Sequence, residues 1–331
     1  MEYKYKSGYV LGKFMPLHLG HKYLIDTALK NSEKVFVLVG TLPSEPIPGD
    51  IRFKWVKELY KDEPRVTVGH CDEILPQYPE EHEDFWNIWT DVTRRYVPQD
   101  IDCIFTSEKY GEPYAKYLGI DHFLVDLERL RFPVSGTKIR NYTSDYWEFL
   151  PSHVRPYFVK RVALMGPESV GKSTMCQSLA KYFVTQSVSE FGRDVYEFQG
   201  FIALDDFKEI MIGQKQNENY VVKDCNKVIF CDTECITTYL FSKLFYPDEY
   251  QIIEEDLLAV INGLPKYDLY LLLSPDVPGV QDGTRQFLEK RWDHYFMIKS
   301  ELKRRGLRFQ EISGSYKERF EACKQLVQEI L

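Results

Sequence analysis

Midway along the chain, the apolar run RVALM (161–165) leads straight into GPESVGKST (166–174). No other stretch constrains the fold as tightly. Residues Gly166–Ser173 fit G-x-x-x-x-G-K-S/T, a loop that must follow a buried strand and open a helix. Its glycines let backbone N–H groups face phosphates, its lysine reaches the outer phosphate oxygens, and the hydroxyl after the lysine is a Mg2+ ligand. The helix adds the positive end of its dipole. The expected ATP contacts are therefore Gly166, Glu168, Ser169, Val170, Gly171, Lys172, Ser173 and Thr174. Such a loop normally opens its domain, yet here about half the chain precedes it.

Beyond the loop, apolar runs alternate with helical patterns. "SVSEF" (187–191) reads as a strand, 205–223 as a long helix, and "KVIFCD" (227–232) as a strand. Helices near 234–245 and 250–261, the strand "YDLYLLL" (267–273), a polar loop 274–285, a helix 286–304, "LRFQEIS" and a closing helix follow. Continuous apolar strands separated by helices predict a parallel sheet covered on both faces. Asp232 ends one such strand and is the expected Mg2+ partner, with Glu234 close by; capping of the next helix is the competing role for both. In "SEFGRD", Glu190 is placed to take the proton of an attacking hydroxyl and Arg193 to hold charge, with Asp194 beside them. A surface ion pair is the alternative there. The loop "PDVPGVQDGTRQF" suits a closing lid whose Arg285 stabilises a transferring phosphoryl group.

The first half has the same alternation: "GYVLGKF" (8–14), a helix over 20–30, "KVFVLVG", a helix near 50–60, "RVTVG", a helix near 82–96, "DCIFTS", a helix near 111–118 and "HFLVD". Leu24, Ile25, Ala28 and Leu29 share one side of their helix, the stripe of a helix lying on a sheet. "PSHVRPYFVK" (151–160), with two prolines, makes a linker. The chain is thus read as α/β, with doubly wound parallel-sheet domains over 1–154 and 155–331. In "GKFMPLHLGH", His18 and His21 fall straight after a strand and at a helix start, with Gly20 between them. Such a site holds the α-phosphate of a nucleoside triphosphate while an incoming phosphate oxygen attacks in line and pyrophosphate leaves. Metal binding is the other use of paired histidines, but no third ligand lies nearby in sequence. "VSGTKIR" (134–140) brings Ser135 and Thr137 to cap a helix whose first turn carries Lys138 and Arg140, a second cradle for phosphates.

The two signatures together resemble the nucleotidylyltransferase superfamily, with its H-x-G-H and I-S-S-T-x-x-R motifs. Followed by a P-loop kinase half, the chain resembles the bifunctional nicotinamide-nucleotide adenylyltransferase and ribosylnicotinamide kinase family of the NadR type. "GKFMPLHLGH", "TSEKYGEPYAKYLG", "VSGTKIR", "GPESVGKST", "SEFGRDVYE" and "QDGTR" carry the resemblance over nearly the whole chain. It implies a Rossmann-like nucleotidylyltransferase domain followed by a P-loop kinase domain. It further implies that the second half phosphorylates nicotinamide riboside with ATP, and that the first joins nicotinamide mononucleotide to AMP from ATP, giving NAD. On this resemblance His18 and His21 hold the ATP phosphates around the reacting phosphorus, Arg140 and Lys13 hold the departing pyrophosphate, and Gly12 and Phe14 line the cleft. Ser107 and Glu108 fall at a strand's C-terminal end, where open α/β sheets bind ligands. Trp86 and Trp89, three apart on one helix, are candidates to stack on nicotinamide, core packing being the rival role. Val134 and Gly136 depart mildly from the signature, and Gln281 replaces an expected carboxylate in the lid. Many members begin with a helix-turn-helix segment; here the first strand starts by residue 8, so an enzyme without operator binding is expected.

A phosphopantetheine adenylyltransferase fused to a dephospho-CoA kinase has similar motifs, and a non-catalytic sensor of NAD and ATP is the rival from another class. "SEFGRD" and "QDGTR" favour the pyridine-nucleotide version. A net charge of −8 with scattered Lys and Arg argues against nucleic acid as a partner. No run approaches the roughly 18 apolar residues of a membrane span, and "MEYKYKSGYV" has no signal-peptide layout. Seven cysteines, with no C-x-x-C pair, read as reduced thiols of a cytoplasmic protein. The expected partners are ATP, Mg2+ and the small-molecule substrates, and the sequence leaves room for a homo-oligomer.

Overall fold

The computed structural model describes residues 3–97, 100–281 and 285–331, and the chain divides into two units, Met1–Arg155 and Pro156–Leu331. In the first unit the elements run β1 (Tyr5–Gly12), α1 (Leu19–Asn31), β2 (Ser32–Gly40), α2 (Gly49–Leu59), β3 (Val66–Cys71), α3 (Phe85–Tyr96), β4 (Cys103–Thr106), α4 (Gly111–Leu118), β5 (Asp121–Leu124) and α5 (Gly136–Asn141). The sheet order is β3-β2-β1-β4-β5, every pair parallel. Val35, Phe36, Val37, Leu38 and Val39 of β2 are all buried, so both faces of the sheet are covered. Successive strands leave β1 on opposite sides, which opens a crevice at the C-terminal ends of β1 and β4.

The second unit runs β6 (Lys160–Met165), α6 (Lys172–Tyr182), β7 (Ser187–Val188), α7 (Phe191–Gln199), α8 (Asp206–Val221), β8 (Val228–Asp232), α9 (Cys235–Phe245), α10 (Gln251–Gly263), β9 (Leu269–Leu273), α11 (Arg291–Arg304), β10 (Phe309–Ile312) and α12 (Tyr316–Gln328). Its parallel sheet has the order β10-β9-β6-β8-β7. Side chains of β6 alternate between faces. Val162 and Leu164 share one apolar cluster with Leu179 of α6 and Val327 of α12, while Ala163 and Met165 share another with Met211 of α8 and Ile298 of α11.

Three elements differ from the sequence reading. The strand read over 187–191 is only Ser187–Val188, and α7 follows where no helix was expected. No residue of α7 is fully buried, and its half-buried stripe of Phe191, Gly192, Val195 and Tyr196 begins inside the stretch read as a strand. The helix read over 286–304 starts at Arg291, after a short 3-10 turn. Among the described residues no helix is long and apolar enough to cross a membrane, and all seven cysteines are free and buried.

Candidate functional site

In the first unit His18 is the N-cap of α1. Its backbone is extended, and its Nδ1 accepts from the His21 N–H at 3.3 Å. A neutral ring that accepts through Nδ1 carries its proton on Nε2. The two imidazoles stack with centroids 3.7 Å apart, and the His21 Nδ1 is buried without a hydrogen-bond partner. Burial, reinforced by the Arg129 guanidinium, pushes His18 down to about 3. Burial first, then His18 and Arg129, push His21 down as well. At neutral pH the pair is therefore uncharged and can act on an anion only through hydrogen bonds.

Positive charge at this cleft comes from other side chains. Arg140 donates to the Met15 carbonyl, and to Thr137 Oγ1 at 3.2 Å. Ser135 caps α5 by accepting from the Lys138 N–H at 3.2 Å. Thr137 lies inside that helix rather than at its cap. Lys138 is not brought to the cleft: its Nζ lies 5.7 Å from the Tyr146 ring centroid. The Lys13 ammonium is 3.0 Å from Glu45, and the fully buried Arg52 donates to the Lys13 carbonyl at 2.8 Å and to Glu45 at 2.5 Å. Arg129, which the sequence reading passed over, also lines the cleft; it donates to the Val134 carbonyl at 3.2 Å and to Glu108 at 3.3 Å. Its place in "DLERLR", just upstream of "VSGTKIR", was the available signal.

The cleft encloses about 640 Å³ and also takes in Gly12, Phe14, Ser107, Trp86 and Trp89. Trp89 is a core wall, buried with Phe85 and Tyr114 and donating through Nε1 to the Pro76 carbonyl at 2.9 Å. Trp86 is less buried and stacks on Tyr117, with centroids 6.0 Å apart.

In the second unit the loop after β6 turns through Gly166 (φ 144°) and Gly171 (φ 87°), conformations that favour glycine. A Cβ on Gly166 would stand 2.7 Å from the Leu273 carbonyl oxygen. Lys172 is buried and donates to the Gly166 and Pro167 carbonyls, both at 3.0 Å. Three further loop carbonyls are taken by guanidinium groups: Glu168 (3.1 Å) and Ser169 (3.2 Å) by Arg291, and Val170 (3.1 Å) by Arg319. These bonds tie the loop to α11 and α12. The Glu168 carboxylate accepts from the Phe287 N–H at 2.9 Å, and Ser169 Oγ from Arg285 at 2.9 Å. The expected lid thus reaches the phosphate loop through Arg285; its residues 282–284 lie outside the described residues.

Asp232 ends β8 opposite Leu164, one residue before the loop-bearing end of β6. It is buried, and its Oδ1 has no partner. Glu234 does serve as a cap, accepting from the Ile236 and Thr237 N–H groups at 2.7 and 2.8 Å, and burial pushes its carboxyl up to about 7. Glu190 follows β7, 3.9 Å from Arg193. Burial raises its carboxyl, Asp232 adds to the rise, and Lys172 opposes it. Glu190, Arg193, Lys172, Ser173, Thr174 and Arg285 line one cleft of about 270 Å³, walled by Tyr196, Phe207 and Phe241. Asp194 is exposed on α7 and does not line it.

These features define a nucleotidyltransferase domain followed by a P-loop phosphotransferase domain. Residues 9–142 match the Cytidylyltransferase-like family and residues 161–319 the AAA domain family. The chain belongs to the NadR family. It is 32% identical to the Trifunctional NAD biosynthesis/regulator protein NadR of Escherichia coli (strain K12), over 98% of this chain and 83% of that protein. Identity to the protein of the same description from Salmonella typhimurium (strain LT2) is 31%, with the same coverage. The crystal structure of NadR protein in complex with NR superposes with a TM-score of 0.84 at 21% identity, covering 99% of this chain and 96% of the other. The structure in complex with NAD and AMP-PNP gives 0.81 at 22% identity, covering 99% and 97%. At these identities the likeness is one of fold.

Proposed function

We propose that the chain is a two-step enzyme of NAD salvage: its second unit phosphorylates nicotinamide riboside with ATP, and its first adenylylates the resulting nicotinamide mononucleotide with a second ATP. The observation that supports this reading is that the H-x-G-H segment and the G-x-x-x-x-G-K-S/T loop each line a cleft in a chain that aligns over 98% of its length with NadR.

In the second unit, Glu190 accepts the proton of the riboside 5′ hydroxyl as its oxygen attacks the γ-phosphorus and ADP leaves. A carboxyl raised by burial is a better proton acceptor than an ordinary one. Lys172 and Arg285 spread the negative charge of the transferring group. The orphaned Asp232 Oδ1 beside the loop, with the Ser173 hydroxyl, fits a Mg2+ ion that arrives with ATP. Among the described residues no group of three or more His, Cys, Asp or Glu could hold a metal, which suits an ion completed by phosphate and water oxygens. When bound, it neutralises charge on the β- and γ-oxygens.

In the first unit, neutral His18 and His21 donate hydrogen bonds to the α-phosphate as a mononucleotide phosphate oxygen attacks it. Arg140, Lys13 and Arg129 receive the departing pyrophosphate. Seven buried free thiols support a reducing, cytoplasmic setting.

Incubation with ATP, Mg2+ and nicotinamide riboside, followed by chromatography, is expected to show the mononucleotide and then NAD. Turnover of phosphopantetheine with none of the riboside would overturn the substrate, and binding without product would overturn the catalysis.

A further inference from the structure

Two glutamates of the second unit stand at the same kind of place, after a sheet strand and at the N-cap of the next helix. Glu234 uses its carboxylate to cap α9. Glu190 makes no capping bond to α7. The first N–H of α7, that of Phe191, lies outside the pair that an N-cap side chain reaches and is taken by Gln214 Oε1 on α8, at 2.9 Å. Gln214 is 2% exposed, and its Nε2 has no partner. The reversed amide would set two donors face to face, so the bond to Phe191 fixes its orientation. Next to it, Gly213 leaves the room that the Phe191 ring fills, since a Cβ there would stand 2.3 Å from that ring. Residues 213 and 214 of α8 thus pin the residue that follows Glu190.

We propose that Gln214 is a positioning residue for phosphoryl transfer: by holding the Phe191 N–H it fixes the backbone that carries Glu190, whose carboxylate is left facing the cleft instead of capping the Gly192 and Arg193 N–H groups. This rests on the reading of Glu190 as the proton acceptor. An open helix N-terminus attracts a neighbouring carboxylate and favours its ionised form. Without that anchor the backbone at Glu190 is free to rotate, and its carboxylate turns onto the N–H groups of the second and third residues of α7, away from the hydroxyl, and loses its proton at lower pH.

The test uses the full chain with Gln214→Met, which keeps the shape and removes the acceptor, and Gln214→Glu, which keeps an acceptor oxygen. Riboside phosphorylation is followed for kcat, for the KM of ATP and across pH. For Gln214→Met, kcat is expected to fall about ten- to hundredfold, the KM of ATP to hold, and the acid limb of the kcat profile to move to lower pH. Gln214→Glu is expected to recover most of the rate. Wild-type kcat and an unmoved limb in Gln214→Met would overturn the inference. So would a loss that merely follows the melting temperature, or a Gln214→Glu variant that folds and is inactive. Glu190→Gln measured in parallel separates the two claims: if it turns over normally, the proton-acceptor reading fails and takes this inference with it. If Glu190→Gln is inactive while Gln214→Met is normal, only the role of Gln214 fails.

Discussion

His18 and Glu234 are buried groups whose burial favours the uncharged form in both cases, which sets opposite responses to pH. His18 titrates near 3 in the folded chain against an ordinary 6.5, so its imidazole stays neutral through the working range. The pH profile of adenylylation is therefore expected to show no limb near pH 6.5 that disappears in His18→Asn; such a limb would mean that an imidazolium does the work. For Glu234, the folded carboxyl titrates near 7 and the unfolded one near 4.5. The folded state holds a proton that the unfolded state releases in that window, so the contribution to stability is full below pH 4.5 and lost as pH rises through 7. Thermal unfolding of Glu234→Gln should flatten this dependence, the ceiling being roughly 3 kcal/mol at 1.36 kcal/mol per pH unit. An unchanged slope would show that Glu234 is already ionised in the folded chain.

At the scale of elements, one wall of the first cleft rests on a close contact between α5 and the segment before α1. A Cβ on Gly136 would stand 2.3 Å from the Met15 carbonyl oxygen, the atom to which Arg140 donates. Gly136→Ala must therefore part α5 from the segment that carries His18. The expected cost is about 1–3 kcal/mol in stability, with a fall in adenylylation of about tenfold or more and riboside phosphorylation unaffected. Equal activity in the variant would mean that the two segments need not touch. This departure from the family signature was legible in the sequence, but its steric reason was not, because it depends on a contact between residues 121 positions apart. The central strands and both cradles were legible because buried parallel strands are continuous apolar runs and the phosphate motifs are local in sequence. The helix α7 was not, since its first apolar residue, Phe191, continues the run read as a strand, while β7 itself is only two residues at the sheet edge. Lys138 has a cradle residue's spacing but lies against Tyr146, while Arg129 enters the cleft from a residue at φ 52°, a conformation no residue pattern announces.

At the scale of the whole molecule, each unit has its own sheet, its own covering helices and its own cleft. The two proposed reactions split ATP at different phosphorus atoms, and the product of the second unit is the substrate of the first. Independent sites make a sharp pair of expectations. Lys172→Ala removes the cation at the phosphate loop and should cut riboside phosphorylation by about 10²-fold or more, while supplied mononucleotide is still converted to NAD. His18→Ala should do the reverse, accumulating mononucleotide from riboside without NAD. The decisive measurement mixes the two variants. An intermediate that passes through solution lets the kinase of one chain feed the adenylyltransferase of the other, so NAD should appear from riboside after a lag that shortens as protein concentration rises. A mixture that makes no NAD, with each variant retaining its remaining activity, would mean that the intermediate must stay on one chain.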